Sequence, residues 1–138
     1  MFKTVLVANR GAIACRILRT LKSLNVEGVA VFSDRDRASL HVEQASRAIC
    51  LGDGPGASAY LDVARILEAA KACGAEAIHP GYGFLSENAG FAEACGAAGI
   101  AFLGPTPEQL RAFGLKHTAR ALAQAAGLPM LSGSGLLV

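Results

Sequence analysis

One segment of the chain combines a histidine, a proline and two glycines at spacings typical of a ligand-binding loop. Residues 79–88 read HPGYGFLSEN, and Pro80, Gly81 and Gly83 force a tight turn after an apolar run. Glycine on both sides of Tyr82 lets another molecule approach the main chain closely. Bare N–H groups at a helix start can bind an anion or a polar ring. The segment is interpreted either as such a loop or as a crowded strand–helix turn whose glycines satisfy only steric needs.

Two other places carry polar side chains that could bind a ligand. Asn9 and Arg10 follow an apolar run and could bind an anion or a neighbouring lobe. They could equally form a structural turn, with Asn9 bonded to local backbone and Arg10 paired with a carboxylate. Lys116 could contact a phosphate as a point charge or be simply solvated. His41 and His117 have no acidic or cysteine partner at ligand spacing, so no metal site is predicted.

The elements that would position these residues are short apolar runs separated by helical patterns. The runs are residues 4–8, 28–32, 48–51, 77–79 and 100–103. They are continuously apolar, which is typical of strands covered on both faces in a parallel sheet. The alternation predicts a three-layer, Rossmann-like α/β domain with a mostly parallel sheet of about five strands. Ligands bind at the carboxyl ends of such strands, where the segments 9–11, 34–37 and 79–83 lie.

The helices have recognisable starts and ends. Residues 11–25 form an amphipathic pattern whose outer face is basic through Arg16, Arg19 and Lys22. Helix caps are predicted at Asp62, at Ser86 (with Glu87 in the first turn) and at Thr106, and a last helix is predicted over residues 116–126. Residues 34–44 are polar and then weakly helical.

The composition limits the class of protein. The chain has 138 residues, a net charge of +2, 52% hydrophobic and 17% charged residues, which predicts one compact soluble domain. These values argue against a disordered chain and against a nucleic-acid or membrane-surface protein. Four separated cysteines are expected to be reduced and buried, and no signal or membrane-spanning segment is recognised, so a cytoplasmic location is expected. The segment around Gly11 has one glycine where a G-x-G-x-x-G fingerprint needs three. Asp34 alone is a weak ribose-binding signal. A nicotinamide- or flavin-binding domain is therefore disfavoured.

The sequence resembles biotin carboxylases over essentially its whole length. The resemblance is carried by residues 3–17 (KTVLVANRGAIACRI), 79–88 (HPGYGFLSEN) and 102–105 (FLGP). Within that family, residues 113–120 (FGLKHTAR) resemble urea carboxylases, the biotin-dependent half of urea amidolyases, whereas acyl-CoA and pyruvate carboxylases typically have Met-Gly-Asp-Lys there.

The resemblance implies an ATP-dependent ligase that activates bicarbonate as carboxyphosphate and carboxylates a carrier-bound biotin. Residues 1–115 would be the Rossmann-like, pre-ATP-grasp domain and residues 116–138 the truncated start of the linker and ATP-grasp region. The implied partners are the ATP-grasp lobes, the biotin carrier domain and a second copy in a homodimer. ATP, Mg²⁺ and biotin would serve the full-length enzyme, while the chain alone is expected to bind none of them tightly and to be inactive. The alternative is a stand-alone nucleotide-binding or interaction module that kept the fold without catalysis.

The resemblance also implies roles for individual residues. Lys116 would contact an ATP phosphate. The Tyr82–Gly83 backbone would lie near biotin, and Glu87 would order that loop. The structural or interface residues would be Asn9, Arg10, Arg16 and Arg19, of which Arg16 and Arg19 would lie in the dimer contact. No catalytic residue is expected within the chain. Three departures stand out: Ala12 replaces a usual Glu, residues 52–57 form a looser loop, and Ser132 replaces a common proline.

Overall fold

A single parallel sheet organises the computed structural model, which describes residues 1–53 and 58–132. Its strands are β1 (Thr4–Val7), β2 (Glu27–Ser33), β3 (Arg47–Gly52), β4 (Ala77–His79) and β5 (Ala101–Phe102). They lie in the order β3-β2-β1-β4-β5, and every neighbouring pair is parallel. The five predicted strands are therefore confirmed. The described residues do not include 54–57, which are most of the looser loop noted at residues 52–57. They also do not include residues 133–138, the end of the segment 116–138.

In the described part of the chain, four helices alternate with these strands and two more follow β5. They are α1 (Gly11–Ser23), α2 (Leu40–Gln44), α3 (Val63–Ala72), α4 (Ala89–Ala97), α5 (Pro107–Phe113) and α6 (Lys116–Ala125). Short 3₁₀ turns occupy Asp34–Asp36 and Ser58–Leu61. The weakly helical stretch at residues 34–44 thus resolves into one such turn followed by α2.

The core is divided between the two faces of the sheet. Val5 and Val7 point toward α1 and pack with its buried residues, whereas Leu6 and Ala8 belong to a second cluster with α3 and α4. This division follows from the alternation of side chains along a strand, since neighbouring residues face opposite sides. Helices therefore cover both faces, which confirms the predicted three-layer arrangement.

The cap predicted at Ser86 is wrong. The α4 helix begins at Ala89, and Asn88 is its cap, with Oδ1 accepting from the Phe91 N–H at 2.9 Å. Ser86 instead donates its own N–H to Gly83 within a preceding turn, which leaves Glu87 ahead of the helix. The caps at Asp62 and Thr106 are confirmed, the latter as a complete capping box with Gln109.

Three of the four cysteines are buried, and all four are free thiols. Cys50 is exposed, so the expectation that all four would be buried is wrong for this residue. Its position explains the difference: β3 pairs only with β2 at one edge of the sheet, and five of its six residues are partly or fully open to solvent. Among the described residues, no helix has both the length and the apolar character needed to span a membrane.

Candidate functional site

Asn9 joins two loops at the carboxyl edge of the sheet. It follows β1, is 3% exposed, and donates from Nδ2 to the carbonyl oxygens of Pro80 at 2.7 Å and Tyr82 at 2.9 Å. Its Oδ1 accepts from the Arg10 N–H at 2.9 Å. Of the two interpretations left open for Asn9, its bonds favour a structural one, although its main partners are distant in sequence. Asn9 therefore fixes the main chain on both sides of Gly81.

The loop at residues 79–88 needs its glycines for geometry. Gly81 and Gly83 have φ values of +67° and +68°, in the left-handed region that favours glycine. A Cβ at Gly81 would lie 2.7 Å from Asn9 Nδ2, so the clamp requires a residue without a side chain there. The Gly81 N–H also donates to Nδ1 of His79 at 3.0 Å. Burial lowers the pKa of His79, which keeps the imidazole neutral and leaves Nδ1 able to accept.

This loop presents one aromatic side chain and open main chain to solvent. Tyr82 is 67% exposed, and apart from the two flanking residues no atom lies within 4 Å of the position that a Cβ on Gly83 would take. A shallow cleft of about 440 Å³ separates the loop from the start of α1, between Tyr82, Gly83 and Phe84 on one side and Arg10 and Ala12 on the other. The first turn of α1 contains no acidic residue, because Ala12 stands there. The positive end of this helix therefore faces the cleft without a neutralising carboxylate.

A second cleft, of about 580 Å³, lies on the other side of Tyr82. It is lined by Tyr82, Ser86 and Glu87 from the loop and by Gln109 and Phe113 from α5. Glu87 is exposed and makes no hydrogen bond or ion pair within the described part of the chain. The carboxylate is thus free to meet a ligand or another segment at this cleft.

Behind the loop lies a buried polar network that the sequence analysis missed. Asp36 is 6% exposed and accepts from Arg10 at 2.7 Å, from the Tyr60 hydroxyl at 2.6 Å and from the Ser33 hydroxyl at 3.2 Å. Burial would raise the pKa of Asp36, but the Tyr60 hydrogen bond and the charge of Arg10 outweigh it and hold the pKa below its ordinary value. The pairing of Arg10 with a carboxylate, one of the two alternatives left open for it, is therefore observed.

Tyr60 is the centre of this network. Burial, and then the hydrogen bond to Asp36, raise its pKa to about 12, so the hydroxyl keeps its proton and remains a donor. Its ring stacks on Phe84 with 5.2 Å between centroids and 11° between planes. The only available signal in the sequence was that a buried tyrosine normally finds a hydrogen-bond partner. Nothing in the spacing identified Asp36, 24 residues away.

The remaining candidates lie apart from the loop. Lys116 is exposed and is the first residue of α6. It does not line the second cleft, although Gly114, two residues earlier, does. Arg16 and Arg19 are exposed on α1 and hydrogen-bond within their own helix, to Thr20 and to the Cys15 carbonyl. The structure thus brings together Asn9, Arg10, Tyr82, Gly83 and Glu87 and leaves the other three outside this cluster.

The described residues offer features suited to biotin and to a phosphate, but not to Mg²⁺. An open glycine main chain beside an exposed aromatic ring fits a polar ring such as that of biotin, and an exposed ammonium at the start of a helix fits a phosphate. No group of three or more His, Cys, Asp or Glu side chains that could hold a metal ion occurs within residues 1–53 and 58–132. These residues therefore do not fit a Mg²⁺ site. Asp34, the weak ribose-binding candidate, pairs with Arg37.

An all-parallel sheet with a clamped polar loop at its carboxyl edge defines a Rossmann-like α/β domain. The chain belongs to the biotin carboxylase N-terminal domain family, whose model matches residues 1–110. The resemblance to biotin carboxylases is therefore confirmed.

Relatives and solved structures extend this match. The urea amidolyase of Lachancea kluyveri is 54% identical over 136 residues, covering 99% of this chain and 7% of that protein. The biotin carboxylase of Halalkalibacterium halodurans is 54% identical over 134 residues, covering 97% of this chain and 30% of that protein.

A solved structure shows the same fold. The biotin carboxylase domain of Hydrogenobacter thermophilus 2-oxoglutarate carboxylase, a dimer in complex with MgADP, ADP and bicarbonate, superimposes with a TM-score of 0.91 and 43% identity, covering 97% of this chain and 29% of that one. The chain thus spans less than a third of each of these three proteins.

Proposed function

We propose that the chain forms the N-terminal domain of an enzyme that carboxylates biotin in an ATP- and bicarbonate-dependent reaction. The observation that carries this proposal is the loop clamped by Asn9, which displays Tyr82 and the open main chain of Gly83 beside α1. Membership in the biotin carboxylase N-terminal domain family supports it.

The proposed roles follow from where each residue lies. The backbone of Tyr82 and Gly83 contacts the biotin ring, since it is the part of the loop that a ligand can approach most closely. Glu87, exposed at the second cleft, orders the loop when the neighbouring lobe is in place. Lys116 binds an ATP phosphate through its exposed ammonium. Bound ATP supplies the phosphoryl group that activates bicarbonate, and the ligands of Mg²⁺ belong to the ATP-grasp lobes.

The surfaces of the domain suit three partners. We place the boundary between the Rossmann-like domain and the start of the ATP-grasp region at residues 115 and 116, because α6 buries no residue in the described chain. The ATP-grasp lobes and the biotin carrier domain then approach from the side of the two clefts. Arg16 and Arg19 contact a second copy of the enzyme, which the dimer of the Hydrogenobacter thermophilus domain supports. Four free cysteines agree with a cytoplasmic location.

We further propose that urea is the final acceptor of the carboxyl group. Residues 113–120 and the identity to the Lachancea kluyveri urea amidolyase favour urea over acyl-CoA or pyruvate. The biotin carboxylase of Halalkalibacterium halodurans matches equally well, so overall identity alone does not select the acceptor. The test is carboxylation by the enzyme that carries this chain, assayed with urea, acetyl-CoA and pyruvate. Urea is expected to be the preferred acceptor, and preference for either other acceptor would refute this assignment.

A chimera tests the carboxylase proposal directly. This chain would replace the aligned 134 residues of the Halalkalibacterium halodurans enzyme, and ATP cleavage would be measured with and without bicarbonate and free biotin. The chimera is expected to cleave ATP in a bicarbonate- and biotin-dependent manner, and the 138-residue chain alone is expected to be inactive. A chimera that folds, as judged by circular dichroism and gel filtration, but shows no such activity would favour the stand-alone module instead.

A further inference from the structure

Phe84 adopts a backbone conformation that its own side chain does not favour. Its φ is +44°, and among the described residues only Asn25 is another non-glycine residue with a positive φ. A bulky residue in this region is an outlier that surrounding contacts must stabilise. Since Phe84 follows Tyr82 and Gly83 directly, whatever holds Phe84 also sets the direction of the ligand-facing part of the loop.

The contact that holds Phe84 is its stack on Tyr60. The two rings are nearly parallel, with 5.2 Å between centroids, and Tyr60 is 1% exposed. Phe84 also packs against the core cluster on the α3 and α4 face of the sheet. The loop is therefore attached to the core by Asn9 at its start, by Tyr60 at Phe84 and by the buried side chain of Leu85 that follows.

The ring of Tyr60 is itself fixed in direction. Its hydroxyl donates to Asp36 at 2.6 Å and accepts from the Ser33 N–H at 3.2 Å. The guanidinium of Arg10, which pairs with Asp36, lies 5.8 Å from the centre of the same ring. Arg10 also lines the cleft beside Tyr82, so one set of contacts connects the buried tyrosine with both walls of the cleft.

We propose that Tyr60 is a positioning residue that holds Phe84 in its left-handed conformation and thereby directs Tyr82 and Gly83 into the cleft. The catalytic consequence of this inference rests on the proposed function. Tyr60 touches neither cleft, so it acts only through Phe84 and Arg10. A purely structural tyrosine would stabilise the whole domain without a particular effect on the loop.

Hydrogen exchange in the 138-residue chain separates these two roles. The reporter is the amide of Ser86, which donates to the Gly83 carbonyl. In the variant Tyr60→Leu, this amide is expected to exchange about tenfold faster once the change in global stability is subtracted, because that factor corresponds to the loss of one stacked aromatic pair. The control is Ile66→Val, a fully buried position on α3 in the same core cluster. It is expected to lower global stability without a separate effect on the loop. Equal acceleration of Ser86 exchange in both variants would overturn the proposal.

The conservative variant Tyr60→Phe tests the mechanism. It keeps the ring on Phe84 but removes the hydroxyl, so loop protection is expected to return close to that of the unmodified chain. Global stability is expected to remain lower, because the Ser33 N–H and Asp36 lose a buried partner. Loss of loop protection as large as in Tyr60→Leu would show that stacking is not what holds Phe84.

The chimera with the Halalkalibacterium halodurans enzyme supplies the functional readout. Tyr60→Leu is expected to raise the KM for free biotin about tenfold while leaving kcat and the KM for ATP unchanged. An unchanged KM for biotin, together with a disordered loop, would overturn the positioning role. An unmodified chimera without biotin-dependent activity would contradict the proposed function, and the exchange measurements would still decide whether Tyr60 anchors the loop.

Discussion

The loop at residues 79–88 and the helix α6 illustrate two ways of displaying side chains. The loop is irregular, yet Asn9, Gly81 and the Tyr60–Phe84 stack fix its main chain from behind. The α6 helix is regular and amphipathic, yet none of its residues is buried in the described part of the chain. Leu122, Leu128 and Leu131 in and after this helix are 44%, 59% and 89% exposed.

This difference shows that regular secondary structure and fixed position are separate properties. The main chain of the loop has little freedom, because the carbonyls of Pro80 and Tyr82 accept from the buried Asn9 and the ring of Phe84 stacks on Tyr60. Within the described residues, α6 is held by its own backbone hydrogen bonds, by packing against α5 and by a hydrogen bond from Arg120 to the Leu131 carbonyl. We therefore expect substitutions in the loop region to be costly and equivalent substitutions in α6 to be mild.

Two glycines with nearly the same φ give the sharpest comparison. Gly81→Ala is expected to lower the free energy of unfolding by about 3 kcal/mol, because the new Cβ combines left-handed strain with a clash at 2.7 Å against Asn9. Gly127→Ala, at φ +70° with nothing within 4 Å, is expected to cost about 1 kcal/mol. Urea denaturation of both variants measures the difference. Equal costs would mean that Asn9 gives way and does not clamp the loop.

The clamp itself is expected to have the next largest effect. Asn9→Ala leaves the buried carbonyl of Pro80 and the partly buried carbonyl of Tyr82 without their donor, and should lower the free energy of unfolding by about 2 kcal/mol. Gln124→Ala, an exposed residue of α6, serves as the control and should change stability by less than about 0.5 kcal/mol. Urea denaturation followed by circular dichroism measures both. Similar values for the two variants would contradict the contrast between the regions.

Acidification should act through His41 and His79, one buried and one partly buried. Burial lowers the pKa of both His41, which is 1% exposed, and His79, so the unfolded chain binds protons at a higher pH than the folded one. The free energy of unfolding is therefore highest above the ordinary histidine pKa. It decreases as the pH drops below that value, by at most about 1.4 kcal/mol per pH unit for each histidine. Urea titrations between pH 7.5 and 5.5 test this (about the range of ordinary histidine titration). His41→Gln should reduce the slope, and an unchanged slope would exclude His41 as a source.

The smallest effect is expected on the exposed face of α6. Leu122→Ser should change the free energy of unfolding of the chain by less than about 0.5 kcal/mol, since this side chain is already 44% exposed. Thermal and urea denaturation of the variant provide the measurement. A loss above about 1.5 kcal/mol, the lower range for burying a leucine, would show that α6 packs more closely than its exposure indicates.

The architecture of the domain was predictable because its signals are local. Each strand is a short continuous apolar run, and Thr106 with Gln109 forms a complete capping box within four residues. The cap of α4 was predicted at Ser86, whereas the structure has it two residues later at Asn88. The start of α4 depends on the turns that precede it, which a sequence pattern does not reveal. Cys50 was misplaced for a related reason, because an apolar run does not indicate whether its strand lies at a sheet edge.

The candidate site was predictable only in part. The glycines of residues 79–88 predicted that a ligand can approach the main chain closely, and the resemblance to biotin carboxylases indicated Tyr82 and Gly83 as the residues near biotin. The pairing of Tyr60 with Asp36, and the stacking of Phe84 on Tyr60, depend on tertiary contacts between distant segments. No periodicity or spacing encodes such contacts, so they required the structure.

The clamp at Asn9 also has a consequence for the order of folding. Its two carbonyl partners are 71 and 73 residues away, and β4 must pair with β1 before they come within reach. Closing a connection of this length is slow compared with forming a helix or a hairpin. The ligand-facing loop therefore takes its shape late, after the central strands have assembled. During synthesis, Asn9 leaves the ribosome long before the residues that it will bind.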